Sequence, residues 1–295
     1  MVILFSKEGQ LANRLWQAAH FISNAIEYDY NLLHKGFGDY FEYFSESINH
    51  FGNFLPVCFP QSANGVSITA KLALKYYGLS KKLERKLRFK LPFVRDVYFH
   101  DYTALRYYLN NDSFLNDAKS CIVSVDGWFY EDKTSLIKHA DIIRSIFQPN
   151  KVFQYKIDQL YSTHFKKYDI VVAVHIRKGD YKTYNNGIWY YSDEEYCRFM
   201  EGLLGLEEFN QSNVGFLVCS NEKLNDDFYQ KFNIIPATNH FIEDLYAMAK
   251  CDYIIGPPST FSAWASFYGN VPLLHLYNSK ADIKKELFKV VDYAY

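Results

Sequence analysis

The run Ile170-Val171-Val172-Ala173-Val174 is continuously apolar and largely β-branched, and it breaks at once into His175-Ile176-Arg177-Lys178-Gly179-Asp180-Tyr181. A run of that kind suits a parallel strand covered on both faces, and in α/β folds ligands bind at the carboxyl ends of such strands. The charged loop therefore sits where a site belongs. Arg177 offers a planar fork of donors to a phosphate, His175 can bond or relay a proton, and Asp180 can orient Arg177 or accept a proton from a hydroxyl. The alternative is a surface turn whose Arg and Asp pair with each other.

The rest of the chain alternates strand and helix signals. Val2 to Phe5 reads as a short strand, followed by the loop Ser6 to Arg14 and a helix from about Leu15 to Tyr28. In that loop Gly9 permits close backbone approach to a ligand, and Asn13 with Arg14 offers donors near a helix N-terminus; a structural turn with a capping Asn is the competing explanation. Residues 35–65, rich in Phe, Gly, Ser and Asn, lack a clear period and read as irregular loops that could form an acceptor-facing wall. An amphipathic helix over Thr134 to Phe147 stops at Gln148-Pro149-Asn150, where a domain junction is expected. Further on, a helix is predicted over 192–205, a strand over Val214 to Cys219 ending in Ser220-Asn221-Glu222, and a helix starting near Leu224.

Ile242, Leu245, Tyr246 and Ala249 fall on one helical face. Glu243 and Asp244 occupy its first turn, where carboxylates also suit the helix dipole. Tyr253-Ile254-Ile255 forms a strand, Gly256-Pro257-Pro258 a rigid loop, and Ser259-Thr260 the start of a helix through Trp264. Hydroxyls and N–H groups there make a second anion-binding element or a simple N-cap. Arg177 and the Ser259 to Phe261 helix start thus sit at strand ends of one inferred sheet, where a diphosphate could bridge them. No D-x-D occurs in the chain, so a metal-held diphosphate is disfavoured, and cationic side chains with helix dipoles would stabilise the leaving group.

Composition closes off other classes. With 295 residues, 49% hydrophobic and 22% charged, the chain is long enough for about two globular domains. A net charge of −1 argues against a generally nucleic-acid-binding surface. No apolar stretch approaches the roughly 20 residues that span a bilayer, and no basic leader precedes Val2, so a cytoplasmic protein is expected. Five scattered cysteines with no C-x-x-C suggest neither a disulfide framework nor a zinc site. Six basic residues between Lys81 and Lys90, interleaved with Leu83, Leu87 and Phe89, could dock on an anionic membrane or could simply solvate a helix. Aromatic content of 19% supplies rings able to stack on sugars or bases, although most are expected in the core. Nuclease, protease and redox motifs such as G-x-S-x-G or a complete G-x-G-x-x-G are absent.

Three segments in order, Gly9-Gln10-Leu11-Ala12-Asn13-Arg14-Leu15-Trp16-Gln17, His175 to Tyr181, and Glu243 to Met248 leading to Ser259-Thr260-Phe261-Ser262, resemble the bacterial α-1,2-fucosyltransferases of glycosyltransferase family 11. The stretch Phe216 to Glu222 is similar to that family's strand ending in Ser and acidic residues. The resemblance implies a GT-B fold, with two Rossmann-like domains facing a central cleft: residues 1–155 on the acceptor side and 156–295 binding the GDP-sugar. It also implies GDP-β-L-fucose as donor, no metal or cofactor, and inversion at the anomeric carbon. On this basis Arg177 would neutralise the diphosphate, helped by Lys178, and Asn13 with Gly9 and Arg14 would reach the β-phosphate or fucose. Ser259, Thr260 and Phe261 would hold phosphate, while Ser220, His175 and Asp244 would border the nucleotide. This sequence departs from the family pattern at Lys178, where a second arginine is usual, at Gln10 and Ala12, where glycines are usual, and at Ala263, where an aromatic is common. The departures imply a divergent branch.

Reaction by direct displacement then follows, with Arg177 carrying most of the leaving-group stabilisation. The expected product is a fucosylated glycan, α-1,2-linked, in cell-surface polysaccharide such as O-antigen or capsule, on an acceptor that could be lipid-linked. The rivals are a GT-B transferase using another nucleotide sugar and a non-catalytic nucleotide-sugar or glycan-binding protein.

Overall fold

The computed structural model describes residues 1–51, 54–62, 65–100 and 105–292. The chain divides into two compact units, Met1–Asn150 and Lys151–Tyr295. The division falls just after Pro149 and ahead of the 155/156 boundary read from sequence, because residues from Lys151 onward enter a helix, Lys151–Thr163, belonging to the second unit.

In the first unit, strands β1 (Val2–Leu4), β2 (Leu32–His34), β3 (Val57–Cys58), β4 (Val94–Phe99) and β6 (Ile122–Gly127) form one parallel sheet in the order β3-β2-β1-β6-β4. A separate two-stranded pair joins β5 (Tyr107–Tyr108) to β7 (Tyr130–Glu131). All three residues of β1 are buried, as expected of a central parallel strand. The helix after it runs from Leu11 to Tyr28, one turn earlier than predicted. Leu11, Ala12, Leu15 and Trp16 are buried and carry the helical period back past Asn13 and Arg14, which therefore lie in the first turn instead of in a loop.

Residues 35–65 correct the expectation of irregular loops. Gly38–Phe44 is a 3-10 helix that continues into an α-helix, Ser45–Phe51, and β3 follows; positions 52–53 and 63–64 lie outside the described residues. Phe37, Phe41, Phe44 and Phe59 are buried, with Phe37 packed 5.9 Å from Phe59 and 5.3 Å from Phe147, centroid to centroid. These rings build the unit's own core. The switch from three to 3.6 residues per turn hides the period. The helix predicted over 134–147 is two helices, Lys133–Lys138 and Ala140–Ile146, broken at His139.

The second unit holds a second parallel sheet, with strands β8 (Ile170–Ile176), β9 (Val214–Ser220), β10 (Ile234–Pro236), β11 (Tyr253–Gly256) and β12 (Leu273–His275) in the order β10-β9-β8-β11-β12. Renumbered within the unit, that order is 3-2-1-4-5, the arrangement of a Rossmann-type half. Helix Asp193–Leu204 starts on a capping box in which Ser192 and Glu195 bond reciprocally. Val172, Val174, Phe199, Met200, Leu203 and Phe216 pack in the core between that helix and the sheet.

Candidate active site

The order of the second sheet dictates where its site lies. The chain leaves β8 toward β9 and leaves β11 toward β12, so the loops after β8 and β11 part and leave a crevice at the carboxyl edge. Val174 is in register with Ile255, which sets His175 beside Gly256. A Cβ at Gly256 would lie 2.7 Å from the His175 carbonyl oxygen, so glycine is what allows the two strand ends to close on each other.

Arg177 and Asp180 meet at this edge. The Arg177 Nη2 donates to both carboxylate oxygens of Asp180, at 2.7 and 3.0 Å. The guanidinium carbon stands 5.0 Å from the ring centroid of Tyr181, a cation–π contact. Tyr181 in turn donates its hydroxyl to the Pro258 carbonyl at 2.6 Å. A single buried tyrosine therefore ties the loop after β8 to the loop after β11. Its phenol is held above its ordinary pKa, mainly by burial, and stays a donor at neutral pH.

The second loop delivers the helix Thr260–Gly269. Ser259 caps it, accepting from the Phe261 N–H at 3.3 Å. Phe261 closes the ring of contacts, its centroid 5.3 Å from that of His175. Burial first, then the nearby Arg177 and His275 charges, push the His175 imidazole down to about 3. It is neutral near pH 7, able to accept or donate a hydrogen bond but not to act as a standing cation. Three nitrogens in these strand-end residues, Arg177 Nε, His175 Nδ1 and His275 Nδ1, are buried with no hydrogen-bond partner among the described residues. Buried polar groups are ordinarily paired, and orphans at a strand edge mark a place for a polar ligand. A guanidinium, an oriented helix start and neutral imidazoles together suit a phosphate-bearing group.

The other predicted residues divide. Ser220, in register with Ile176, lies one strand over and accepts from the Glu222 N–H at 3.2 Å. The neighbouring Asn221 accepts from the Lys178 N–H at 2.8 Å and so anchors the loop. The Lys178 ammonium turns inward, donating to the Tyr191 carbonyl at 2.8 Å and pairing with Asp193 at 3.0 Å. The Asp244 carboxylate accepts from the backbone N–H and hydroxyl of Thr238, just past the carboxyl end of β10, and burial raises its pKa. Sequence reasoning gave Tyr181 no role and missed His275 and Asn221. His275 ends the apolar run Val271 to Leu274 as His175 ends its own, so the same strand-end pattern could have found it.

Gly9, Asn13 and Arg14 belong to the first unit, at the carboxyl end of β1. Gly9 has φ +67°, and a Cβ there would fall 2.0 Å from Asn13 Nδ2. Arg14 is committed locally, donating to the Gly9 and Gly36 carbonyls at 3.3 and 3.1 Å and to Asp39 at 2.6 Å. The Arg14 bond to Asp39, with Lys7 beside it, holds the Asp39 carboxyl below its usual range. Among the described residues no group of three or more His, Cys, Asp or Glu side chains could hold a metal ion.

Two Rossmann-like units in one chain, one carrying an anion-suited strand edge, define the architecture of a GT-B glycosyltransferase. The profile of glycosyl transferase family 11 matches residues 67–284, and the chain belongs to that family. No curated protein matches the chain by sequence. Among solved structures, a mutant of FUT1 from Arabidopsis thaliana in complex with GDP aligns over 98% of this chain and 73% of its own, with 11% identity and a TM-score of 0.58. The fucosyltransferase NodZ from Bradyrhizobium aligns over 93% of this chain and 95% of its own at 15% identity, with a TM-score of 0.54. NodZ described as an α-1,6-fucosyltransferase and soaked with GDP-fucose gives 93%, 94%, 15% and 0.53. At these identities the likeness is one of fold.

Proposed function

We propose that this glycosyltransferase moves L-fucose from GDP-β-L-fucose to a glycan hydroxyl with inversion at the anomeric carbon. The observation that carries the reading is the continuous contact from Asp180 through Arg177 and Tyr181 to Pro258, which fixes a guanidinium beside a helix start at the switch point of the second sheet. Support for GDP-fucose comes from the family motifs and from the shared fold of FUT1 with GDP and NodZ with GDP-fucose.

In the proposed reaction the acceptor hydroxyl oxygen attacks the anomeric carbon and gives up its proton to water, the bond from that carbon to the β-phosphate oxygen breaks, and its electron pair leaves with GDP. Arg177 neutralises the charge that grows on that oxygen, and donors fixed in advance stabilise the transition state more than the ground state. Asp180 orients Arg177, since both its oxygens face one guanidinium nitrogen. His175 and the helix start at Ser259, Thr260 and Phe261 border the nucleotide. Gly9 and Asn13 are carried as donor contacts on the family resemblance. An α-1,2 linkage, and a place in building O-antigen or capsule at the cytoplasmic face of the membrane, complete the proposal.

The test is GDP or UDP release from a panel of GDP-fucose, GDP-mannose and UDP-sugars with a mixed glycan acceptor pool, with and without EDTA. Release from GDP-fucose alone, unchanged by EDTA, is the expected outcome. Release from another donor instead would keep the enzyme class and overturn the sugar. Protection against unfolding by GDP with no release from any donor would indicate a binding protein.

A further inference from the structure

The Ile68–Leu87 helix of the first unit is not a plain solvated helix. Its inner face buries Ala70, Ala73 and Ser80, while Ile68, Leu72 and Leu79 on the outer face are 76%, 60% and 49% exposed. At 100° per residue, these three fall within about 40° of one another, with Leu83 and Tyr76 continuing the stripe. Lys71, Lys75, Lys82 and Lys86 run along one side of it, spaced by four, seven and four residues. Leu72, Lys75, Tyr76 and Leu79, with Ala73 and Ile122, line a shallow groove of about 530 Å³. Beyond the helix, Phe89 and Phe93 are also exposed, beside Arg88 and Lys90.

The charge is one-sided. Residues 68–90 contain eight Lys and Arg (positions 71, 75, 81, 82, 85, 86, 88 and 90) against one acid, Glu84, in a chain whose net charge is −1. Glu84 pairs with Lys81, and Asp96 takes up Lys81 and Lys90, so neither acid neutralises the strip Lys71, Lys75, Lys82 and Lys86. An exposed apolar stripe flanked by cations that no acid among the described residues pairs is the pattern of a helix lying in the plane of an anionic bilayer, apolar side down among the acyl chains and lysines among the headgroups. A solvated helix has no use for three exposed aliphatic side chains in register, and a neutral protein partner has none for the lysines.

We propose that this face docks the enzyme on an anionic lipid surface. The inference is independent of the donor sugar. The test is co-sedimentation of the full chain with vesicles of phosphatidylcholine alone, or with about a third phosphatidylglycerol. Binding to the anionic vesicles only, weakening as salt shortens the screening length, is the expected result. Each headgroup-level lysine contributes about a fivefold change in partitioning, so K71Q/K75Q should lower binding on the order of 25-fold. L72N/L79N should lower it by a similar amount, while the control K166Q/K167Q, two exposed lysines of the second unit, should leave it unchanged. All of these positions are exposed, so folding is not at stake, and GDP release with a water-soluble acceptor should be the same in every variant. Equal binding by wild type and variants, or none to anionic vesicles, would overturn the proposal. So would loss of a dimer in L72N/L79N on gel filtration without vesicle binding, which would assign the face to a second copy of the chain.

Discussion

Tyr181 concentrates most of what holds the site together: its ring lies under Arg177 and its hydroxyl bonds the Pro258 carbonyl. Tyr181→Phe keeps the ring and leaves a carbonyl unpaired, which costs about 1 kcal/mol of stability. Because the loop after β11 loses its tie, kcat should fall several-fold; a thermal melt and a GDP-release assay measure the two effects. Lys178 shows how a residue-level reading can miss. Beside Arg177 in sequence it looked like a second phosphate ligand, yet in extended chain consecutive side chains point to opposite sides. Its ammonium goes to Tyr191 and Asp193 in the interior. Lys178→Met strands Asp193 in a largely buried place and is expected to lower the melting temperature by several degrees, on the order of 3 kcal/mol. Arg177 was read from charge at a strand end and Gly9 from backbone freedom, and the structure puts the one directly after β8 and the other at φ +67°.

At the level of elements, the second unit was far more readable than the first. β8 and β9 are buried apolar runs that end in polar residues, β11 is one that ends in Gly256-Pro257-Pro258, and the helix starts at Ser192 and Ser259 carry side-chain caps visible in the sequence. The first unit hides its elements. β2 and β3 are only three and two residues long, and edge strand β4 mixes Arg95 and Asp96 with Val94 and Val97, as edges that resist pairing do. The Leu11–Tyr28 helix begins at Gln10 with no side-chain cap to announce it. Ser259→Ala tests the cap that was legible: losing the Phe261 N–H acceptor should cost about 1 kcal/mol and weaken GDP binding, as followed by melting with and without GDP.

At the scale of the molecule, burial pushes His20 down to about 4 and His34 and His175 to about 3, and it lowers His275 as well, so these groups are held neutral. In the unfolded chain each titrates near 6.5, so below that pH the unfolded state takes up protons that the folded state refuses. Their contribution to stability is complete above about pH 6.5 and is lost as pH falls toward 4, by about 1.4 kcal/mol per pH unit for each histidine held neutral. Asp244, whose raised pKa acts in the opposite sense, takes up its proton early and offsets part of the loss. Urea midpoints should therefore drop steadily from pH 7 to pH 5; a flat profile would contradict the buried-neutral assignment. The central claim, that the strand-end guanidinium of the second unit carries the chemistry, is tested most directly by the rate of GDP release from GDP-fucose in Arg177→Ala, with its fold checked by circular dichroism. A fall of about 10² or more with the fold intact is the predicted result. Near-full turnover in the folded variant would remove Arg177, and the site built around it, from the mechanism.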